Sequence, residues 1–485
     1  MQDSLQEWPA KERKERKERS GFATYKIEPL LNPPLHAMFL RITALLAILT
    51  AVSFAAEVRP AGAVGDGQAD DTAAIQKAAD AGGAIHFPTG MYRLTKTVVI
   101  TLDTAGFTSL NADGTARIVM AGAGPAFRFV GTHGGSADPK SLKPEITARQ
   151  RMPTVDGLEI IGDHPEADGI EANGTMQLTI TRTRINGVRH GIHLTGRNRN
   201  LLVGECHIYH NTGIGIFYDD VNLHQSNITG CHISYCAGGG VVSRGGEVRN
   251  VHIAGSDIES NMTADAPETA NVVLDSRGGS IAEVAITGCT LQHNSKSPGS
   301  ANLRILGPGK DLSTSRTEAK SPRWGHVTIT GNVFSDVRVN VHIQNARGIV
   351  LTGNTFWEGD ERDLLVEDSS NVVVGENNFE RNPGYELWQG ERPKQGVSFR
   401  ACADCTLNGL HLLGVREQPA AIVLEDCRRM HVANCTVLDS DHAGLLLKNV
   451  RDSFVHGCFL RDDRAEKPAF EPMIVEGGAG NRIER

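Results

Sequence analysis

The 485-residue chain has few aromatic side chains, 5% of its residues, and no apolar run after residue 56 long enough to span a bilayer. It also lacks an excess of basic charge, because 49 Lys and Arg face 57 Asp and Glu. Nucleic-acid binding depends on basic side chains that neutralise phosphates, so this balance argues against a nucleic-acid partner. Few aromatic residues together with 53 glycines favour many short strands and tight turns over a helical protein.

The N-terminal 56 residues have a different character from the rest. Residues 1–37 carry the charge run "KERKERKERS", and we expect them not to belong to the native protein, with translation starting at Met38. Residues 38–56 combine Arg41, an apolar stretch of about 13 residues and small residues before a cleavage site, which is typical of a signal peptide. A buried core helix is the alternative. The signal predicts a secreted, periplasmic or cell-surface protein without a membrane span.

Similar sequence motifs such as "NITGCHIS", "VTITGNVF" and "HVANCTV" recur along the chain, mostly at intervals of 22–25 residues. Aligned on their Cys or Asn position, they form a column: Thr183, Cys206, Cys231, Ser256, Cys289, Asn332, Asn354, Asn377, Leu410, Cys435 and Cys458. In the later motifs a second column lies eight residues before the first: Ala346, Ser369, Cys402, Cys427 and Val450. Self-similarity at this period predicts a solenoid whose repeats cover one another's apolar faces.

Within each motif apolar residues alternate with polar residues, as in a β-strand, and the leucine pattern of leucine-rich repeats is absent. Each repeat is therefore predicted to be one turn of a parallel β-helix, in which equivalent residues stack about 4.8 Å apart. Small or amide side chains suit such a stack, since Asn can hydrogen-bond to the residues above and below it. Seven of the nine cysteines lie in the two columns, so neither zinc nor a disulfide framework is needed to explain them.

A helix is predicted from Asp71 as N-cap through residue 81, with Ala74, Ile75, Ala78 and Ala79 as its apolar stripe. This helix lies within "GAVGDGQADDTAAIQ", and "FPTGMYRL" follows it. Both segments resemble the N-terminal segment of the pectate-lyase-like superfamily of right-handed β-helix proteins. The resemblance implies that the helix caps the open end of the β-helix.

The predicted fold is therefore all-β, a right-handed parallel β-helix of eleven to thirteen coils with a short N-terminal capping helix. Residues 57–153 would form the cap and first coils, and residues 154–485 the β-helix. Two stretches break the repeat, 294–323 and 381–395, and we interpret them as inserted loops.

The resemblance implies action on a polysaccharide, by a lyase, a glycoside hydrolase or an epimerase, or else non-catalytic binding to carbohydrate. The "GHG" and "RIK" motifs of polygalacturonase-type hydrolases are absent, so that catalytic set cannot be carried over. Lyase chemistry needs instead a base and cations that neutralise a uronate carboxylate. Seven of the 18 histidines fall between residues 190 and 252, which draws attention to these coils. The sequence leaves open the choice between an enzyme and a non-catalytic carbohydrate-binding protein.

We predict a cleft on the outward side of these coils, and the sequence leaves the oligomeric state open. The candidate catalytic residues are Asp168, His193, Asp219, Asp220, His224 and Arg244. The candidate substrate-binding residues are Tyr218, Glu247, Trp357 and Trp388. The adjacent carboxylates of Asp219 and Asp220 are also a candidate Ca²⁺ site, and calcium is the one cofactor considered.

Overall fold

The computed structural model describes residues 56–135, 138–265, 268–308, 325–382, 384, 393–465 and 469–484. The predicted extension and nearly all of the predicted signal segment lie outside these residues. Trp388, the second half of the first predicted insertion (309–323) and the middle of the second also lie outside them.

Each turn of the chain contributes three strands, as in Ile214–Asp219, Asn222–Thr229 and His232–Ser234. The first strand of each turn joins a fourteen-stranded sheet, called sheet 1 below. The other two join a thirty-stranded sheet, in which they form a long-strand wall and a short-strand wall. All pairings are parallel between successive turns, for example Ile216 with Val241 and His207 with His232. The predicted right-handed parallel β-helix is confirmed.

Sheet 1 contains Val98–Thr101, Gly124–Val130, Ala167–Asn173, Ile192–Leu194, Ile214–Asp219, Gly239–Arg244, Ala270–Asp275, Ala301–Leu306, Val337–Gln344, Gly359–Glu367, Val397–Arg400, Ile422–Glu425, Ala443–Lys448 and Glu471–Glu476. The long-strand wall contains Ala56–Glu57, Gly83–His86, Thr108–Met120, Thr154–Gly162, Thr175–Met176, Thr179–Thr181, Arg197–Gly204, Asn222–Thr229, Glu247–Ala254, Ser280–Thr287, Gly325–Thr330, Arg347–Thr352, Ser370–Val374, Thr406–Asn408, His431–Ala433, Phe454–His456 and Arg482–Ile483. The short-strand wall contains Asp66–Asp70, Gly90–Leu94, Arg184–Asn186, His207–Tyr209, His232–Ser234, Asp257–Glu259, Thr290–Gln292, Val333–Phe334, Thr355–Phe356, Asn378–Phe379, His411–Leu413, Thr436–Leu438 and Phe459–Arg461. Thr108–Met120 and Thr154–Gly162 are long enough to continue into the short-strand wall as well.

The main hydrophobic core runs through the interior from Val58 to Val455. Alternate residues of every strand point inward, so one stacked row of apolar side chains comes from each wall. Phe334, Phe356 and Phe379 form such a row, with ring centroids 4.9 Å and 4.7 Å apart. All three rings are buried, and their offset stacking adds to the free energy gained by removing them from water.

The polar columns lie at the corners between walls and are buried. Asn332 donates through Nδ2 to Oδ1 of Asn354, 3.0 Å away, and Asn354 donates in the same way to Asn377 at 2.9 Å. Each amide oxygen also accepts the backbone N–H of the residue before it in the column. These bonds satisfy polar groups that would otherwise be buried without partners. All nine cysteines are free thiols, so their recurrence reflects architecture.

A third polar column was missed in the sequence. Asn271 donates to Asn302 at 2.7 Å, Asn302 to Asn340 at 2.8 Å, and Asn340 to the carboxylate of Asp363 at 2.9 Å. Asp363 is fully buried, and this burial raises the pKa of its carboxyl group to about 7. The column marks the corner that leads from the short-strand wall into sheet 1.

The predicted N-terminal helix is present as Thr72–Ala81, and it buries Ile75, Ala78 and Ala79. Asp71 stands at its N-cap position, but its carboxylate accepts hydrogen bonds from the backbone of the preceding turn, at Val64 and Gly65. The neighbouring Asp70 instead accepts the Thr72 N–H at 3.0 Å. Hydrogen bonds from Thr72 and Thr95 lower the Asp70 pKa to about 2. These acidic residues therefore have structural partners.

The range 294–323, interpreted from the sequence as an insertion, contains the sheet 1 strand Ala301–Leu306. That strand pairs with Ala270–Asp275 and Val337–Gln344, so this part of the range is a regular coil. The remaining helices described are Leu102–Ala105, the 3-10 turn Pro139–Ser141 and the π-helical Ile146–Gln150. None of the described helices could traverse a bilayer.

Candidate functional site

His193 and Asp219 form a hydrogen-bonded pair on the outward face of sheet 1. His193 is the central residue of Ile192–Leu194, and because its two neighbours point into the core, its ring points outward. Asp219 ends the next strand of the sheet. His193 Nε2 lies 3.0 Å from Asp219 Oδ2, and the two side chains are 16% and 45% exposed. A histidine oriented by a carboxylate in this way is suited to accept or donate a proton at its other ring nitrogen.

Two further rings fix the position of His193. Phe217 faces it in register on the next strand, and the rings stack with centroids 5.3 Å apart at 6°. His190 lies 5.3 Å from both rings. Phe217 also belongs to an apolar cluster outside the main core, with Ile214, Val242, Ala270, Val273 and Ala301. The pair therefore lies at the edge of a water-poor surface, where hydrogen bonds to a reacting group are stronger.

His190 also lies beside the pair, a place that the sequence did not predict. Its Nδ1 accepts a hydrogen bond from the backbone N–H of Ile214 at 3.2 Å. Burial, followed by the nearby His193 and Arg189, lowers the His190 pKa to about 4, although Asp168 opposes this shift. His190 is therefore neutral at pH 7.

We expect His190 to make folding stability depend on pH. An unfolded histidine has a pKa of about 6.5, so between about pH 6.5 and 4 the unfolded chain binds more protons than the folded chain. The contribution of His190 is then fully present above pH 6.5 and is lost as pH falls towards 4. Denaturant unfolding between pH 4 and 7 should show a shallower pH dependence for His190→Gln, whose amide oxygen can still accept the Ile214 N–H. Equal pH dependence for the two proteins would contradict this assignment.

Asp168, predicted to be catalytic, is buried and bound to its neighbours in the structure. Its side chain is 3% exposed and accepts two hydrogen bonds from the Arg189 guanidinium, at 2.9 Å and 2.7 Å, and one from the His190 N–H at 2.9 Å. With both oxygens occupied, Asp168 holds the turn that carries His190.

Tyr218 and Asp220 also differ from their predicted places. Tyr218 is buried in the core with its hydroxyl 2.6 Å from Ser226 Oγ, and burial raises its pKa to about 12. It therefore cannot contact a polysaccharide. Asp220 turns the corner after the strand with φ of +43°, and its carboxylate accepts the Gly246 N–H at 2.8 Å. The carboxylates of Asp219 and Asp220 therefore face different partners, His193 and the Gly246 N–H.

Arg244 lies beside Asp219 in register on the next strand of sheet 1. Its side chain is 54% exposed and its Nε lies 3.9 Å from Asp275 Oδ2. Asp275 is nearly buried and is held more closely by Arg277 at 2.8 Å. Arg244 thus presents a positive charge next to the His193–Asp219 pair.

His224 and Glu247 lie on the long-strand wall, around the corner from sheet 1. His224 stands in register between Arg199 and Arg249. Burial and these arginine charges lower its pKa. Glu247 accepts a hydrogen bond from Asn222 Nδ2 at 3.1 Å and is 57% exposed. The structure does not bring either residue to His193, which corrects their predicted place in one cleft.

Trp357 lies five strands farther along the β-helix, about 24 Å from the strand of Asp219 at the usual strand spacing. It therefore does not belong to the His193 site, and Trp388 lies outside the described residues. Next to Trp357, burial and the neighbouring Asp336 raise the Glu358 pKa to about 9. Asp336 is itself buried, accepts a hydrogen bond from Ser335 Oγ at 2.6 Å and lies 3.7 Å from His293 Nδ1. Glu358 is a protonated acid at neutral pH, which the sequence did not reveal.

A groove of about 500 Å³ follows the long-strand wall. Its lining residues are Met152, Gln177, Thr179, Asn200, Leu201, Leu202, Gln225, Asn227, Asn250 and His252. Four of them, Gln177, Asn200, Gln225 and Asn250, stack in one column and have positive φ angles of 55–69°. This kink interrupts the strand alternation of the wall.

Comparison with known proteins agrees with this architecture. Residues 147–295 and 313–408, about half of the chain, match the family model described as right handed beta helix region. This chain belongs to the right-handed β-helix family. Residues 55–141 of this β-helix protein also match the model described as rhamnogalacturonase A/epimerase, pectate lyase-like, which covers the capping segment. No curated protein matches the chain significantly.

Several solved structures resemble the β-helix protein at low identity. The Dettilon tailspike protein is 14% identical, with a TM-score of 0.52 over 86% of this chain and 68% of the tailspike. A tailspike of E. coli bacteriophage HK620 in complex with pentasaccharide is 13% identical, with a TM-score of 0.49 over 88% of this chain and 80% of its own. The A-module of the Azotobacter vinelandii mannuronan C-5 epimerase AlgE4 is 13% identical, with a TM-score of 0.37 over 88% and 97%. At 14% identity, the likeness to the Dettilon tailspike shows a shared fold and nothing beyond the fold.

Proposed function

We propose that this β-helix protein is an exported enzyme that acts on an acidic polysaccharide lying across sheet 1. The observation that carries the proposal is the outward-facing His193–Asp219 pair, held at 3.0 Å and stacked on Phe217. His193 would act as the base that removes the proton next to a uronate carboxylate. Asp219 would orient the ring and stabilise its protonated form. The match of residues 55–141 to the family model described as rhamnogalacturonase A/epimerase, pectate lyase-like, adds support.

The surroundings favour a lyase over a hydrolase at this position. Hydrolases need two available carboxyl groups about 5–9.5 Å apart. The carboxylates on the neighbouring strands are instead bound to arginines: Asp168 to Arg189, Glu171 to Arg128 and Asp275 to Arg277. Arg244 provides an exposed positive charge beside Asp219, which suits neutralisation of a substrate carboxylate during proton abstraction.

The test is an assay of the purified chain on pectins, alginates and other uronate polymers, with neutral glucans as controls. We expect unsaturated uronate products, followed by their ultraviolet absorbance and by mass spectrometry. Release of reducing ends without unsaturation would contradict the lyase assignment. Binding without any product would support the non-catalytic carbohydrate-binding alternative.

A second candidate, glycoside hydrolysis, rests on the group around Glu358. A carboxyl group with a pKa of about 9 remains protonated at neutral pH and can serve as a general acid. Trp357, directly before it, offers a ring for stacking on a sugar. If this site is the active one, Glu358→Gln abolishes the release of reducing ends and His193→Ala leaves it unchanged.

A further inference from the structure

A group of three potential metal ligands lies on the short-strand wall, apart from sheet 1. His232 begins the strand His232–Ser234, and in the next coil Asp257 and Glu259 stand at the two ends of Asp257–Glu259. The register pairs His232 with Asp257, and Glu259 lies two residues beyond on the same outward face. One donor atom from each residue lies within 4.8 Å of the other two.

The distances suit shared coordination better than direct hydrogen bonding. His232 Nε2 lies 3.5 Å from Asp257 Oδ2 and 3.7 Å from Glu259 Oε1. Donors arranged tetrahedrally at about 2.0–2.2 Å from a zinc ion are separated by roughly 3.4 Å. His232 Nε2 is also shielded from solvent and makes no hydrogen bond among the described residues. A polar atom in this condition points to a missing partner.

Residues of the following coil hold the two carboxylates in place. Thr290 Oγ1 donates to Asp257 Oδ1 at 2.6 Å, and Gln292 Nε2 donates to Glu259 Oε2 at 3.0 Å. In each carboxylate the remaining oxygen is the one that faces His232. Supporting hydrogen bonds of this kind orient ligands in metal sites and strengthen binding.

We propose that His232, Asp257 and Glu259 form a zinc-binding site that links two adjacent coils. One imidazole nitrogen and two carboxylate oxygens are donors that Zn²⁺ accepts, whereas Ca²⁺ prefers oxygen donors alone. The side chains of His232 and Asp257 are 41% and 43% exposed, so water completes the coordination. The ion stabilises the folded chain because the unfolded chain does not hold these donors together.

The test is zinc titration of the full chain after removal of metal with a chelator, followed by calorimetry and thermal unfolding. We expect zinc to bind and to raise the unfolding midpoint as its concentration rises. His232→Ala and Asp257→Asn should each lose one equivalent of zinc and the rise in midpoint, and Gln292→Ala should weaken binding about 10-fold. Equimolar calcium should not compete.

The matched control is His411→Ala, because His411 starts its short strand as His232 does, but its stacked neighbours are Asn378 and Thr436. This variant should bind zinc as the parent chain does. A second control is His456→Ala, which removes a pair of imidazoles on another wall, several coils away, formed with His431 at 3.0 Å. No zinc uptake, or uptake lost in His456→Ala and kept in His232→Ala, would overturn the proposal. With cobalt in place of zinc, an absorption spectrum of tetrahedral nitrogen and oxygen ligation is expected to vanish in His232→Ala.

Discussion

Replacing His193 by alanine is expected to lower kcat/KM on the cleaved uronate polymer by about 10²–10⁴-fold, the usual contribution of a positioned acid–base group. The loss should fall mainly on kcat, because the ring takes part in proton transfer and makes little of the binding surface. Asp219→Asn should also lower kcat, since an amide can no longer stabilise the protonated imidazole 3.0 Å away. Steady-state kinetics at several pH values would check both.

The two residues are expected to act as one unit. The double variant should then be little slower than His193→Ala alone, because once the base is gone there is nothing for Asp219 to orient. His411→Ala serves as the control, since this exposed histidine stands on a different wall and should keep full activity. Additive losses, or an active His193→Ala protein with unchanged circular dichroism, would remove His193 from the reaction.

The fold was predictable because every coil of the β-helix buries the same kinds of position, and the same kinds of side chain therefore recur. Buried corners need small or hydrogen-bonding side chains. Such side chains recur in the sequence at the column of Cys206, Cys231, Asn332 and Asn354. The strand Ala301–Leu306 was missed because a long segment of sequence separates it from the repeated motif around Asn332, which belongs to the same coil. The inner Asn271–Asn302–Asn340 column was missed because its spacing varies from coil to coil.

The candidate site was predictable only in part. His193, Asp219 and Arg244 were predicted, but Tyr218 was wrongly placed beside Asp219 although adjacent residues of a strand point to opposite sides. That alternation was available in the sequence and would have assigned Tyr218 to the core.

Other errors had no signal in the sequence. His224 and Glu247 lie on another wall, and strand patterns alone do not say which of three walls a strand occupies. The place of His190 against Phe217 depends on the path of a turn between coils, which only the three-dimensional structure reveals.

Replacing Phe356 by alanine is expected to lower the free energy of unfolding by about 3–5 kcal/mol, the usual cost of emptying a buried phenylalanine site. The ring is fully buried between Phe334 and Phe379, and the parallel strands on both sides prevent the walls from closing the cavity. Denaturant unfolding followed by circular dichroism would measure the loss. Phe459→Ala is the matched control, because that side chain ends the same wall and is 55% exposed. Its replacement should change stability by no more than about 0.5 kcal/mol. Equal losses for the two variants would mean that the stacked interior does not hold the coils together.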